Sequence, residues 1–389
     1  MSAMKGYAAP SRLLLACCVA IIAAVLIPAA ASARAARRAA EPAPPTQAVL
    51  ALGDSISFGY SAERFNTHFP NDAPTFFEEG VANDFLKDVR KVDGKTVQLV
   101  NDACPGETSN GLIGENTELG GEASGETIEE VEGKPAERFP AGGYQGLLDW
   151  HPCKYSFVNH LPLHNGGYVK GGKEVSQLEE AVSLLTSNDP YTGKPEEVKA
   201  ITLNIGSNDE LAAIKQCEDE VTVEFIKEGK SKYGATPEAA VVACIANAAK
   251  NITIPHILKN IGDTLGVLEH YYAGPIILIG FYNPDAKVLA GSDLLQEGAN
   301  SAAEKELLPN FPHTTYANPF PVFNKGAGNV KKPEQEQESI CKYTEMCNPN
   351  VQVKGGKPEG KDGDIHPTIK GYKALAKLVN EAWEKNPVK

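Results

Sequence analysis

The chain has 389 residues, 42% of them hydrophobic and 22% charged, with a formal net charge of −13. This is an ordinary globular composition, long enough for one large α/β domain or two small ones. The acidic balance argues against partners bound through clustered Lys and Arg, namely nucleic acid and anionic membrane surfaces, and mainly confers solubility.

At the N-terminus, Lys5 and Arg12 precede an almost unbroken apolar run, Leu13 to Ala33, ending in Ala31-Ser32-Ala33. A basic start, an apolar middle and small residues before a cut predict a secretory signal peptide over residues 1–33, hence an extracellular protein. The run is also long enough to span a bilayer, so an uncleaved anchor is the alternative. Residues 34–46, rich in Ala, Pro and Arg, read as a disordered linker. Residues 47–389 show no repeat and no second boundary.

Gln47 to Gly53 is an apolar run ended by Gly-Asp-Ser, a buried strand entering a turn. Thr75 to Lys91 has helical spacing, and Val97 to Asn101 is a second strand. The stretch from Gly111 to Gly146 is rich in Gly and Glu and predicts a long surface loop. Helices are expected over Glu174 to Leu185, Pro237 to Tyr272, Ser292 to Leu308 and Thr368 to Lys385. Further strands are expected over Lys199 to Gly206, Pro275 to Phe281 and Thr314 to Asn318. Strands alternating with helices imply an α/β fold, a mostly parallel sheet of about five strands covered on both faces. In such sheets, sites gather at the carboxyl ends of the strands.

Cleavage after Ala33 removes two basic residues and no acid, taking the charge from −13 to −15, and removes Cys17 and Cys18. Six cysteines remain: Cys104, Cys153, Cys217, Cys244, Cys341 and Cys347. An even number in an exported chain predicts three disulfides, and pairing in sequence order closes the shortest loops. No Cys-x-x-Cys or Cys/His cluster appears, so no metal site is expected. His160 and His164 have a four-residue spacing, but Pro162 between them argues for a loop. Trp150, Tyr155 and Phe157 beside Cys153 read as a small packed cluster or as the lining of an acyl pocket. The run Glu129 to Glu132 reads as a solvated face.

Four segments carry the chemistry, three of them directly after predicted strands. They are Gly53-Asp54-Ser55-Ile56-Ser57, Cys104-Pro105-Gly106-Glu107-Thr108, Asn204-Ile205-Gly206-Ser207-Asn208-Asp209, and Asp362-Gly363-Asp364-Ile365-His366-Pro367 before the last helix. A serine nucleophile needs exposure at a strand end and a base within hydrogen-bonding reach. Each segment alone is a common turn. All four in this order resemble the ordered blocks of the SGNH, or GDSL-type, hydrolase family, across essentially the whole mature chain. The six cysteines and Cys-Pro-Gly-Glu-Thr further resemble its secreted bacterial esterase/lipase branch.

The resemblance implies a three-layer α/β/α sandwich of flavodoxin-like topology. It also implies Ser55 as nucleophile, His366 as general base, and an oxyanion hole from the Ser55 and Gly106 backbone N–H groups and the Asn208 side chain. Each such donor can be worth roughly 2.7–4 kcal/mol in the transition state. The family's aspartate stands three residues before the histidine, where this chain has Gly363. The histidine's orienting partner is therefore the Gly363 carbonyl, towards which the reading leans, or Asp364, or Asp362. Gly-x-Ser-x-Gly is absent, which separates the chain from ordinary α/β-hydrolases. The expected activity is hydrolysis of a carboxylic ester or lipid by a monomer, with no cofactor and no obligate protein partner, rising with pH as His366 deprotonates. The alternatives are a polysaccharide deacetylase, a cell-surface acyltransferase, or a secreted binding module that kept the fold.

Overall fold

The computed structural model describes residues 47–64, 74–114, 169–170, 173–174, 176–186, 197–284, 292–328, 333–348 and 364–388. The expected leader and linker lie outside these residues. So do most of the 111–146 loop, His160, His164, Cys153 with its aromatic neighbours, Asp362 and Gly363.

Five strands form one parallel sheet: β1 (Gln47–Gly53), β2 (Gln98–Asn101), β3 (Glu197–Asn204), β4 (Ile276–Ile279) and β5 (Thr314–Ala317), in the order β2-β1-β3-β4-β5. Side chains alternate across a strand, so each strand feeds two cores. Leu50, Leu52, Ile201, Leu203, Ile276 and Leu278 face one, closed by Leu178, Ala181 and Leu184 of Gln177–Thr186 and by Ile257, Ile261, Leu265 and Leu268 of Ile254–Tyr271. Val49, Ala200, Ile277 and Ile279 face the other, closed by Val81, Phe85 and Val89 of Val81–Asp93 and by Tyr372, Leu375, Val379 and Trp383 of Ile369–Glu384. This is the expected α/β/α sandwich. The strand order reverses direction at β1/β3, and ligands of doubly wound sheets bind at such a switch point.

The five strands lie within a residue or two of the expected ranges. A small antiparallel pair, Val169–Lys170 with Lys173–Glu174, takes Glu174 from the expected helix, which begins at Gln177, and the other departures are helical. The helix expected over Thr75 to Lys91 is a 3₁₀ turn, Pro74–Phe77, followed by a helix from Val81. Gly80 separates them because its backbone lies against Gly59, where a Cβ would come within 2.5 Å of the Gly59 Cα. The stretch Pro237 to Tyr272 is two α-helices joined by a π turn, Ala249–Thr253, just ahead of Pro255, which lacks an N–H to continue the ladder. Residues 292–308 likewise pass from α-helix to a π turn at Ala303–Leu307.

The 22-residue helix Ser207–Glu228 was not expected. Its sequence is heavily charged, and it buries only a narrow stripe including Ala212, Ala213, Cys217 and Val221. The short helices Ser109–Ile113 and Pro333–Tyr343 were not expected either, and the first begins inside the supposed loop. By length and composition, Pro237–Tyr271 could cross a membrane. Its buried Ile257, Ile261, Leu265 and Leu268 instead pack on the sheet.

Candidate active site

The carboxyl ends of β1, β2 and β3 are tied into one platform by their own backbones. Asp54 N–H donates to Asn204 O at 3.0 Å, Asp102 N–H to Ala51 O at 2.9 Å, and Cys104 N–H to Gly53 O at 2.9 Å. Gly53 has φ +123°, and a Cβ there would lie 1.8 Å from Asn204 O, so only glycine permits this closeness of β1 to β3. After this turn, Asp54 caps the short helix Ser55–Phe58 by accepting from Ile56 N–H at 2.9 Å. Ser55 is therefore the first residue of a helix held at a sheet end, and it is 8% exposed.

The other end of the chain closes onto it. His366 Nε2 lies 2.7 Å from Ser55 Oγ, and His366 Nδ1 lies 2.5 Å from Asp364 Oδ1. Burial alone pushes the Asp364 carboxyl up. The charge of His366 and hydrogen bonds from His366 and from Ala62 N–H outweigh it and hold Asp364 below the usual carboxylate value. An ionised carboxylate only accepts, so Nδ1 carries the hydrogen and Nε2 is left to accept from Ser55 Oγ–H. The leaning towards the Gly363 carbonyl is corrected here: the Asp364 side chain takes Nδ1. The two-residue offset suffices because the loop turns back on itself, with Asp364 Oδ1 also accepting from His366 N–H at 3.3 Å.

The loop is braced from three sides. Tyr282 Oη donates to Ile365 O at 2.8 Å, Glu345 N–H donates to His366 O at 2.8 Å, and Tyr60 packs edge-on against the imidazole at 4.7 Å between ring centroids.

Gly106 and Asn208 lie on the segments that follow β2 and β3, the two strands flanking β1. Gly106 has φ +86°, a conformation L side chains rarely adopt. Asn208 Nδ2 donates to Glu107 O at 2.8 Å, joining the second and third segments and leaving its second hydrogen for another acceptor. Cys217 pairs with Cys244 and Cys341 with Cys347, as sequence order suggested; Cys104 is also disulfide-bonded.

The profile of the GDSL-like lipase/acylhydrolase family matches residues 49–379. The chain belongs to this family, and it is a hydrolase. Among solved structures, a carbohydrate esterase family 2 enzyme with a carbohydrate-binding domain from Corynascus thermopiles (Myceliophthora fergusii) aligns over 88% of this chain and 67% of its own, at 11% identity and a TM-score of 0.39. A protein assigned as a GDSL-like lipase from Parabacteroides merdae aligns over 88% of this chain and 98% of its own, at 11% identity and a TM-score of 0.36. No curated protein matches the sequence.

Behind Ser55 of this GDSL-like hydrolase lies a group of carboxyls to which the sequence assigned no role. Burial pushes Asp54 up to about 7 and Glu107 up to about 8. Burial also raises Asp209 to about 6, although hydrogen bonds from Ser109 Oγ at 2.6 Å and Ser109 N–H at 2.9 Å oppose it. Gln177 bridges this layer to the Ser55 turn. Its Oε1 accepts from Gly53 N–H, and its Nε2 donates to Gly53 O at 3.1 Å and Glu107 Oε2 at 3.4 Å. Gln177 stands one residue before Leu178 in an otherwise amphipathic helix, and nothing in that pattern marks it as 1% exposed.

A groove partly open to solvent runs past the chain neighbours of the site residues. Ile56, Ser207 and Ile365 line it, and these are the chain neighbours of Ser55, Asn208 and His366. Leu211, Ile214, Phe281 and Leu295 make its walls mostly apolar.

Proposed function

We propose that this GDSL-like hydrolase is a secreted carboxylic ester hydrolase working through a covalent acyl-serine at Ser55. The observation that carries the reading is the relay Ser55 Oγ to His366 Nε2 at 2.7 Å and His366 Nδ1 to Asp364 Oδ1 at 2.5 Å. Ser55 Oγ attacks the ester carbonyl as its proton passes to His366 Nε2, and the carbonyl π pair moves onto oxygen. The oxyanion is met by the Ser55 and Gly106 N–H groups and by the Asn208 Nδ2 hydrogen that Glu107 O does not use. Collapse breaks the bond to the alcohol, which leaves with the proton from His366. Water then repeats the sequence on the acyl-serine, His366 taking its proton and returning it to Ser55 as the acid departs. Asp364 keeps the imidazole in the productive tautomer and balances its transient charge.

The mostly apolar groove supports an acyl chain as its occupant. Two closed disulfides, Cys217–Cys244 and Cys341–Cys347, support an oxidising, extracellular destination after loss of the leader. The test is hydrolysis of nitrophenyl esters, from acetate to palmitate, by the oxidised protein beside Ser55→Ala. Turnover by the native chain alone supports the reading. A folded native chain inert on every ester, or an active Ser55→Ala, overturns it. Mass analysis of the exported chain tests the leader: a start near Arg34 supports cleavage, and an intact Met1 overturns it.

A further inference from the structure

We propose that Glu210 and Gln296, paired within the groove beside Ser55, recognise a hydroxyl group carried by the ester substrate. This rests on the ester-hydrolase reading and adds a specificity to it. Both residues line the groove amid mostly apolar walls. Glu210 stands two residues after Asn208 on the helix Ser207–Glu228, and Gln296 projects from the helix Ser292–Ala302. Gln296 Nε2 donates to Glu210 Oε2 at 2.5 Å, a contact between elements 86 residues apart in sequence.

The pair is incomplete as it stands. Gln296 Oε1 is buried and has no hydrogen-bond partner among the described residues. An unmet buried acceptor costs about 1–3 kcal/mol, so such an atom calls for an explanation. Burial pushes the Glu210 carboxyl up to about 7; the hydrogen bond from Gln296 opposes this and the charge of Asp209 adds to it. In neutral or mildly acidic water, much of Glu210 is thus a carboxylic acid. It can accept from Gln296 and donate its own O–H. The pair then offers one donor and one acceptor side by side, the complement of a hydroxyl. Exchanging the two ends of the Gln296 amide leaves the same offer. A plain hydrocarbon chain would satisfy neither, and a ketone or ether oxygen only one.

The hydroxyl can stand on the acyl chain or on the alcohol half of the ester, and two substrate series separate these sources. The first compares ethyl octanoate with ethyl hydroxyoctanoates bearing the hydroxyl at successive carbons, followed by acid release at constant pH. The second compares ethyl octanoate with monooctanoylglycerol. The expected result is a preference of about tenfold or more in kcat/KM for a hydroxylated member of one series, the size of one well-made hydrogen bond. The preference is expected to fall towards one in Gln296→Met and Glu210→Met, and to survive in Glu210→Gln, which keeps a neutral donor. Melting curves on all variants separate lost recognition from lost fold. Equal rates in both series, or a preference untouched by Gln296→Met and Glu210→Met, overturn the proposal. A native chain inert on every ester overturns instead the hydrolase reading beneath it.

Discussion

The two halves of the candidate relay are held in different ways. Ser55 sits on a turn that is a continuation of the sheet, with main-chain bonds from Asp54 to Asn204, Cys104 to Gly53 and Asp102 to Ala51. Its surroundings are fully buried, down to Asp54 and Asp102 at 0% exposure. The loop carrying Asp364 and His366 belongs to no strand or helix and is braced by Tyr282, Ala62, Tyr60 and Glu345. Glu345 itself belongs to the turn stapled by Cys341–Cys347. Ser55, built into a turn of the sheet, cannot be disturbed without disturbing the fold. The loop of His366 is tied by main-chain and side-chain bonds to the turn of Glu345 and to Tyr282, outside the sheet, and can be moved while the sheet stands. Changes at the first should lower stability and rate together, and changes at the second mainly rate.

The largest expected effect is on the loop. His366→Ala should lower kcat by about 10⁴-fold or more. Asp364→Asn should follow at a somewhat smaller loss, because an amide cannot accept both from Nδ1–H and from Ala62 N–H through its two ends. Neither should move the melting temperature by more than a few degrees, since neither touches the sheet. A large drop in melting temperature with either would break the distinction.

On the sheet side, Gly53→Ala must place a Cβ against Asn204 O at a backbone angle unfavourable to alanine. A loss of about 3 kcal/mol or more in urea unfolding is expected, with activity falling alongside. A stable, inactive Gly53→Ala would contradict the coupling. Between these lies the stapled turn. The Cys341–Cys347 bond closes a short loop, so opening it as Cys341→Ser/Cys347→Ser should cost about 2 kcal/mol. The rate should fall by more than that stability loss explains, because Glu345 carries the His366 carbonyl.

The smallest effect concerns pH and runs in opposite directions in the two regions. Asp54, Glu107 and Asp209 hold protons in the folded chain up to about 7, 8 and 6, whereas the unfolded chain releases them in the ordinary carboxylate range. Unfolding therefore releases protons between about pH 4 and 8, and stability contributed here declines as pH rises through that window. Asp364 is held below its ordinary value, so its contribution is present above that value and lost only as pH falls through it. The urea midpoint should therefore slip as pH rises through that window. Glu107→Gln should flatten the slip; an unchanged pH slope in that variant would remove the buried carboxyls from the account.

Much of this was legible in the residues. β1 to β4 each contain a short apolar run ended by a turn, so they and the place of Ser55 at a sheet end could be read directly, whereas β5, Thr-Thr-Tyr-Ala, is marked by β-branched and aromatic residues and not by an apolar run. The helix Ser207–Glu228 could not, because its charged faces are stabilised by pairs such as Lys215–Asp219, which periodicity of apolar residues does not register. The partner of His366 Nδ1 is not legible in the sequence, because spacing does not say how a loop bends and leaves Asp364, Asp362 and the Gly363 carbonyl equally near. Gln177, Glu210 and Gln296 were missed for one reason. A polar side chain turned inward from a helix has the same local pattern as one turned to water, and only tertiary packing separates them. Glu107 and Asp209 lay inside the quoted segments, and it is burial, invisible in a motif, that sets their protonation.

The most direct measurement is intact-mass analysis of the native chain, acid-quenched during turnover of a slow nitrophenyl ester, followed by peptide mapping. The expected result is one acyl group on the peptide carrying Ser55, its formation slowed by His366→Ala and absent in Ser55→Ala. An acyl group on another residue, or ester turnover that persists in Ser55→Ala, would contradict the central claim.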